Sequence, residues 1–320
     1  MPSARRPRAG PAGRPRAGPA GRPRAGVSGR PRGEREGPSA RGAPRAQRRP
    51  RAGRQGPRSE LLSRILVAIP AAFVAVLFVD LGGLAFALFM IAIGWVCLHE
   101  LYRMLGRWKP MPAVGFLALA GMVLAAHYGS QKDVLEVALA AVPLLIVLVV
   151  ARAEHREATI AIAGTLLGVY WIGFAFAHAE LLRQLHHGGA VMIDVLLGTF
   201  LGDTGAYIGG RLFGRRPLAA EISPSKTVEG LFCGMLIAVL AVFFAGLYES
   251  WLTQGDALLL GLAVAVLGPL GDLFESVVKR DAGTKDAGTL FRSHGGALDR
   301  LDGVIFTVVA GYYIWAGVMH

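Results

Sequence analysis

Apolar windows of 17 to 22 residues recur from residue 62 to the end of the chain, separated by short polar stretches rich in Arg, Lys and Asp. A helix needs about 20 apolar residues to cross the hydrocarbon core of a bilayer. Windows at about 62–79, 82–98, 112–128, 134–151, 158–178, 190–210, 228–248, 255–276 and 303–319 meet that length. The pattern predicts an all-α, polytopic membrane protein with about nine transmembrane helices and excludes a soluble globular enzyme. With the N-terminus inside, fifteen Lys and Arg between Arg64 and Arg300 fall on the inner side, against only Lys132 and Arg183 outside. That asymmetry predicts an N-in, C-out orientation and an odd number of spans. No internal repeat is evident in the body, so the inverted-repeat signature of many transporters is missing.

Composition sharpens the picture because its average hides two different polymers. The 320 residues are 53% hydrophobic and 18% charged, with a formal charge of +12. Residues 1–59 hold 17 Arg against Glu34 and Glu36, a net of +15, while the 17 basic and 20 acidic side chains of residues 60–320 give −3. Residues 6–26 repeat RPRAGPAG with a period of eight. Such a segment has almost nothing apolar to bury, so 1–59 is expected to be a disordered cytoplasmic tail preceding a membrane domain of 60–320. It lacks the apolar stretch of a secretory signal. Its arginines suit anionic lipid headgroups; with no aromatic residue among them to stack on bases, no specific nucleic-acid partner is expected. The next Met after Met1 is Met90, inside the second window, so a start at a non-Met codon near Val27 or Leu61 stays open. Cys97 and Cys233 are too few for a disulfide framework or a cysteine-based zinc site.

The candidate chemistry sits at the inner ends of the later spans. Asp203, within the sixth, is a carboxylate in apolar surroundings, and such a group is functional by default unless it reaches the surface. Asp194 lies nearer the outer end, where it can snorkel. Nine residues put the two about 180° apart around a helix, so they do not share a face. The next loop runs through Ser223, Lys226, Thr227 and Glu229 directly into the seventh span. Hydroxyls and a Lys at a helix start suit a phosphate, and a plain N-cap by Thr227 explains them equally well.

Residues 271–303 read GDLFESVVKRDAGTKDAGTLFRSHGGALDRLDG. Asp272, Glu275, Ser276 and Lys279 fall at i, i+3, i+4 and i+7, a single polar helix face. Asp299 and Asp302 repeat the i, i+3 spacing if the ninth helix starts early. Between them the loop carries Lys285, Asp286, His294, Gly295 and Gly296. Any one of these charges is an ordinary solvated side chain; as a cluster they are not. Carboxylates without cysteine favour Mg²⁺, which reaches protein through one or two carboxylates plus substrate phosphates. Acids for the metal and bases for phosphate point to phosphoryl or nucleotidyl transfer. The Gly pair suggests a tight turn whose amides approach a phosphate or base, with His294 as a donor.

This cluster resembles the signature of the phosphatidate cytidylyltransferases, also called CDP-diacylglycerol synthases. The family pattern is met by Ser276, Lys279, Arg280, Lys285, Asp286, His294, Gly295, Gly296, Asp299, Arg300 and Asp302. The runs Asp203–Tyr207 and Ser223–Gly230 are also similar to family elements, so the resemblance covers about residue 60 to the end. Arg292 and Ser293 stand where the family usually has Pro and Gly, and Ser225 where it often has Lys. The resemblance implies the reaction of CTP with phosphatidic acid to give CDP-diacylglycerol and pyrophosphate. It also implies a metal centre on Asp272 and Asp299 holding Mg²⁺, with a second cation allowed for.

On that reading Lys226, Lys279, Arg280 and Lys285 act on the phosphates of CTP and lipid. Asp203, Ser223, Thr227 and Glu229 complete the cavity, which faces the cytoplasm and the inner leaflet of a bacterial-type plasma membrane. The rival readings are a CTP-dependent enzyme acting on another lipid phosphate or a polyprenol, and, from a different class, a transporter. A homodimer is allowed, but with Gly and Ala everywhere no dimer face stands out.

Overall fold

A computed structural model describes residues 70, 72–151, 157–288 and 295–318 of the chain. The Arg-rich tail and the first turns expected of the first span, 62–69, lie outside the described residues. The helices are α1 (Ala72–Leu81), α2 (Gly83–Met104), α3 (Pro112–Tyr128), α4 (Gln131–Val150), α5 (Ala158–Gln184), α6 (Gly188–Phe213), α7 (Val228–Gly246), α8 (Gln254–Asp281) and α9 (Leu298–Val318). All but the shorter α1 and α3 are long and apolar enough to cross a membrane. The molecule is a helical polytopic membrane protein.

Most helices run a few residues past their apolar windows, because polar caps hold their ends. Ser130 precedes α4 and is tied to Asp133, whose Oδ2 accepts from the Ser130 N–H and hydroxyl, each at 2.7 Å. Thr253 opens α8 by accepting from the Asp256 N–H at 3.2 Å. At α1, Arg183 from α5 donates to the Val79 and Asp80 carbonyls, at 2.5 and 3.3 Å. It thereby satisfies acceptors that a helix C-terminus leaves open.

Two features were not expected from the sequence. The 211–227 segment, read as a loop, contains an antiparallel hairpin of β1 (Pro217–Ala219) and β2 (Ser223–Thr227), pairing Pro217 with Thr227 and Ala219 with Ser223. Strands this short, carrying Pro and Lys, show no apolar alternation to read. The second is a π-turn over Val169–Gly173 in the middle of α5. Single π-turns within helices are frequent at functional sites.

Small residues let the later helices pack closely. A Cβ on Gly202 or Gly209 of α6 would press on Ala238 or Cys233 of α7, and one on Gly271 of α8 would meet the Asp302 carbonyl of α9. Close approach of backbones through small residues is how spanning helices associate without a hydrophobic driving force. The core between α2, α3, α5 and α9 is filled by Leu98, Leu101, Leu119, Met122, Ile172 and Leu298, all fully buried.

Candidate active site

With 28 residues, α8 is about 42 Å long at 1.5 Å per residue. A hydrocarbon core of about 30 Å therefore leaves its last turns, from near Asp272 onward, at the membrane boundary. Gly268 and Gly271 of α8 lie against Gly303 and Asp302 of α9, and this crossing delivers Asp302 to the polar face of α8. One oxygen from each of Asp272, Glu275 and Asp302 lies within 4.8 Å of the others. That is close to the ~4.2 Å that spans an octahedral Mg²⁺ shell. Glu275 is fully buried, and its Oε1 has no hydrogen-bond partner among the described residues. A buried carboxylate oxygen without a partner is costly unless something positive meets it. The donor set, three carboxylates and no sulfur, fits a hard divalent cation.

Two lysines border this trio. Lys226, from β2, forms an ion pair with Asp272. Lys279 bridges Glu275 at 2.5 Å and Asp299 at 2.8 Å. Asp299 also accepts from the Ala287 N–H at 3.0 Å and the Gly296 N–H at 2.7 Å, so it ties Ala287 and Gly296 to the first turn of α9. Asp203 of α6 lies in electrostatic range of Asp272, Lys226 and Asp302. Five carboxylates from three helices thus face two lysines, an arrangement that attracts cations. The trio pairs Asp272 with Glu275 and Asp302, and Asp299 joins them through Lys279.

The other residues singled out in the sequence divide by what they touch. Thr227 caps α7, its Oγ1 accepting from the Gly230 N–H at 3.1 Å. Glu229 Oε2 accepts from the Arg215 and Arg216 N–H groups at 2.9 and 3.2 Å. Both side chains hold the hairpin to α7. Ser223 opens β2, and Ser276 is buried on the same face of α8 as Glu275. Arg280 donates Nε–H to the Ile222 carbonyl at 3.0 Å, tying the end of α8 to the hairpin turn. Lys285, Asp286 and Arg300 are exposed. His294, like Arg292 and Ser293, lies outside the described residues. Asp194 does not snorkel: it is buried at the other end of α6, beside Glu249.

Gly295 adopts a left-handed φ of 83°, as a tight turn requires. Gly296 gives its amide to Asp299 Oδ2 at 2.7 Å.

Glu100 was not singled out in the sequence. It sits near the C-terminal end of α2, 5% exposed, and its Oε2 accepts from the Leu298 N–H at 2.9 Å, capping α9. A Cβ on Gly288 or Gly296 would collide with its carboxylate. The signal available was its type: an acid close to an apolar window marks a partner or a site.

Comparison with known proteins agrees with this geometry. Residues 62–317 match the model of the cytidylyltransferase family. The chain belongs to that family. It is 35% identical over 266 residues to a phosphatidate cytidylyltransferase of Bacillus subtilis, covering 79% of this chain and 97% of the relative. It is 32% identical over 253 residues to one of Staphylococcus epidermidis, and 31% identical over 256 residues to one of Staphylococcus aureus; each alignment covers 77% of this chain and 95% of the relative. In this member of the family, the α8–α9 crossing brings Asp302 to Asp272 and Glu275, with Lys279 and Asp299 beside them.

Proposed function

We propose that this family member transfers a cytidylyl group from CTP to phosphatidic acid, giving CDP-diacylglycerol and pyrophosphate. The observation that carries the reading is the convergence of Asp272, Glu275 and Asp302 beside Lys226 and Lys279 at a membrane boundary, where a water-soluble nucleotide and a bilayer lipid can meet. The names of the similar bacterial proteins support the choice of substrates.

A lipid phosphate oxygen attacks the α-phosphorus of CTP; the new P–O bond forms as the bond to the β-phosphate breaks, and pyrophosphate leaves with the electron pair. The attacking oxygen is already anionic near neutral pH, so no general base is needed. Alignment and charge neutralisation carry the rate. Asp272, Glu275 and Asp302 would hold Mg²⁺, with Asp299 and its lysine adjoining and the excess of acid supporting a second cation. The metal supplies Lewis-acid neutralisation of the triphosphate. Lys226 and Lys279, each now on a carboxylate, are within reach to exchange onto phosphate oxygens. Arg280, Lys285 and Arg300 line the mouth for the incoming charges. Asp203, Ser223, Ser276, Asp286 and His294 complete the substrate-binding set, and Thr227, Glu229, Gly295 and Gly296 shape it.

The positive-inside asymmetry supports nine spans oriented N-in, C-out, with the site facing the cytoplasm and the lipid drawn from the inner leaflet. It also supports a division into a tail of 1–59 and a membrane domain of 60–320. Product formation from CTP, but not from ATP, by protein reconstituted with phosphatidic acid tests the reading. Well-folded protein that makes no CDP-diacylglycerol contradicts it.

A further inference from the structure

Helices α6 and α9 meet along a line that steps one turn at a time, in opposite directions on the two helices. Gly311 of α9 lies against Val195 of α6, and Thr307 and Gly303 lie against Thr199. One more turn along α6, about 6 Å at 1.5 Å per residue, leads to Asp203, which lies in electrostatic range of Asp302, the neighbour of Gly303. Helix α8 joins at the same level. A Cβ on Gly268, one turn before Asp272, would touch the methyls of Thr307 and Thr199, and one on Gly303 would press on the Gly268 carbonyl. The three helices that carry Asp203, Asp272 and Asp302 therefore come together about one turn away from those acids, at two threonines and two glycines.

Both threonines are buried, and their Oγ1 atoms lie 2.9 Å apart. Thr199 Oγ1 also stands 2.7 Å from the Val195 carbonyl, and Thr307 Oγ1 3.2 Å from that of Val304. Each hydroxyl has a single proton to give. The shorter bond takes that of Thr199, so Thr307 donates across the interface to Thr199, which donates to Val195. Neither hydroxyl needs the other to be satisfied, since each has a carbonyl on its own helix. What the contact sets is a distance. It holds α6 and α9 closer than packed methyl groups would, because carbon atoms meet at about 3.5–4.0 Å.

We propose that Thr199 and Thr307 are positioning residues for the cation site: their hydroxyl contact fixes α6 and α9 at the separation that places Asp203 beside Asp272 and Asp302. The inference rests on the metal reading above. Methyl groups in place of the two hydroxyls would part the helices by about 1 Å. A misplacement of about 1 Å can cost about 100-fold in rate even when it starts far from the chemistry. Groups that support metal ligands from behind are worth about 10–100-fold in metal affinity or activity.

The test uses the full chain in detergent with Mn²⁺ as the probe, its binding followed by electron paramagnetic resonance without nucleotide. Thr199→Val and Thr307→Val keep the shape and leave no hydroxyl without a carbonyl, so both, and the double variant, should melt near wild type. Each should weaken Mn²⁺ binding about tenfold and raise the Mg²⁺ concentration for half-maximal CDP-diacylglycerol formation by a similar factor. Thr307→Ser keeps the hydroxyl and loses the methyl beside Gly268; it should melt lower yet bind Mn²⁺ like wild type. A pair that served the fold alone would give the reverse pattern, and valine variants with wild-type Mn²⁺ affinity overturn the proposal. Wild-type protein that binds no Mn²⁺ refutes the metal reading instead. A crystal structure of the double variant then decides the contact by itself: α6 and α9 about 1 Å further apart at residues 199 and 307 upholds it, and an unchanged separation overturns it.

Discussion

Glu100 on α2 accepts the backbone N–H of Leu298, 198 residues later, at 2.9 Å, and so fixes the first turn of α9 to the opposite side of the core. That turn carries Asp299 and Asp302. The bond therefore connects a residue outside the signature to the position of the acids inside it.

Removing this anchor leaves a buried N–H unsatisfied. Glu100→Ala is expected to lower stability by about 1–3 kcal/mol and to reduce kcat more than KM for CTP, because α9 loses its register against α8. Glu100→Gln keeps an acceptor and should recover most of both. Thermal unfolding in detergent and steady-state kinetics read the two effects.

The same carboxylate fills the space a side chain at 296 would need. Gly296→Ala should therefore be severely impaired, and Glu100→Asp, which withdraws the carboxylate by one methylene, should partly restore it. A double-mutant cycle showing no coupling would refute the contact as the reason for glycine here.

Lys279 is 14% exposed and stands between Glu275 and Asp299. Lys279→Met leaves two acids without their shared cation, and breaking such a buried pair costs about 3–5 kcal/mol. Lys279→Arg retains the charge and should keep the fold while losing activity through altered geometry. Equal melting temperatures for wild type and Lys279→Met would show that the bridge does not stabilise the fold.

The metal assignment separates Glu275 and Asp302 from acids elsewhere. Glu275→Gln and Asp302→Asn should each raise the Mg²⁺ concentration needed for half-maximal activity by about tenfold or more, the scale expected for lost metal-site contacts. Glu136→Gln, at an exposed pair with Lys132 on α4, should leave it unchanged. Chelation of divalent cations should abolish turnover reversibly.

Much of this was legible because it follows from spacing along one helix. Asp272, Glu275, Ser276 and Lys279 share a face by the 3.6-residue repeat alone, and the apolar windows marked every helix to within a few residues at most ends. The early start of α9 needed only the Asp299–Asp302 spacing to be taken as helical. What depends on distant chain segments was not legible. Glu275 looked like one member of a stripe, yet the α8–α9 crossing makes it the buried acid between Asp272 and Asp302. Thr227 and Glu229 matched a phosphate loop and a capped helix equally, and their bonds to the Gly230, Arg215 and Arg216 amides depend on a hairpin that the local sequence did not show. Glu100 gave no local pattern, since its partner lies at the far end of the chain; nor does any residue in Val169–Gly173 announce a π-turn.

The most direct test of the central claim is CDP-diacylglycerol formation from CTP and phosphatidic acid by purified protein with Mg²⁺, with Asp302→Asn run alongside. The account predicts product from wild type and, at Mg²⁺ well below the wild type's half-saturating concentration, about a tenth as much or less from an Asp302→Asn protein that melts at a similar temperature. An Asp302→Asn protein as active as wild type would contradict it.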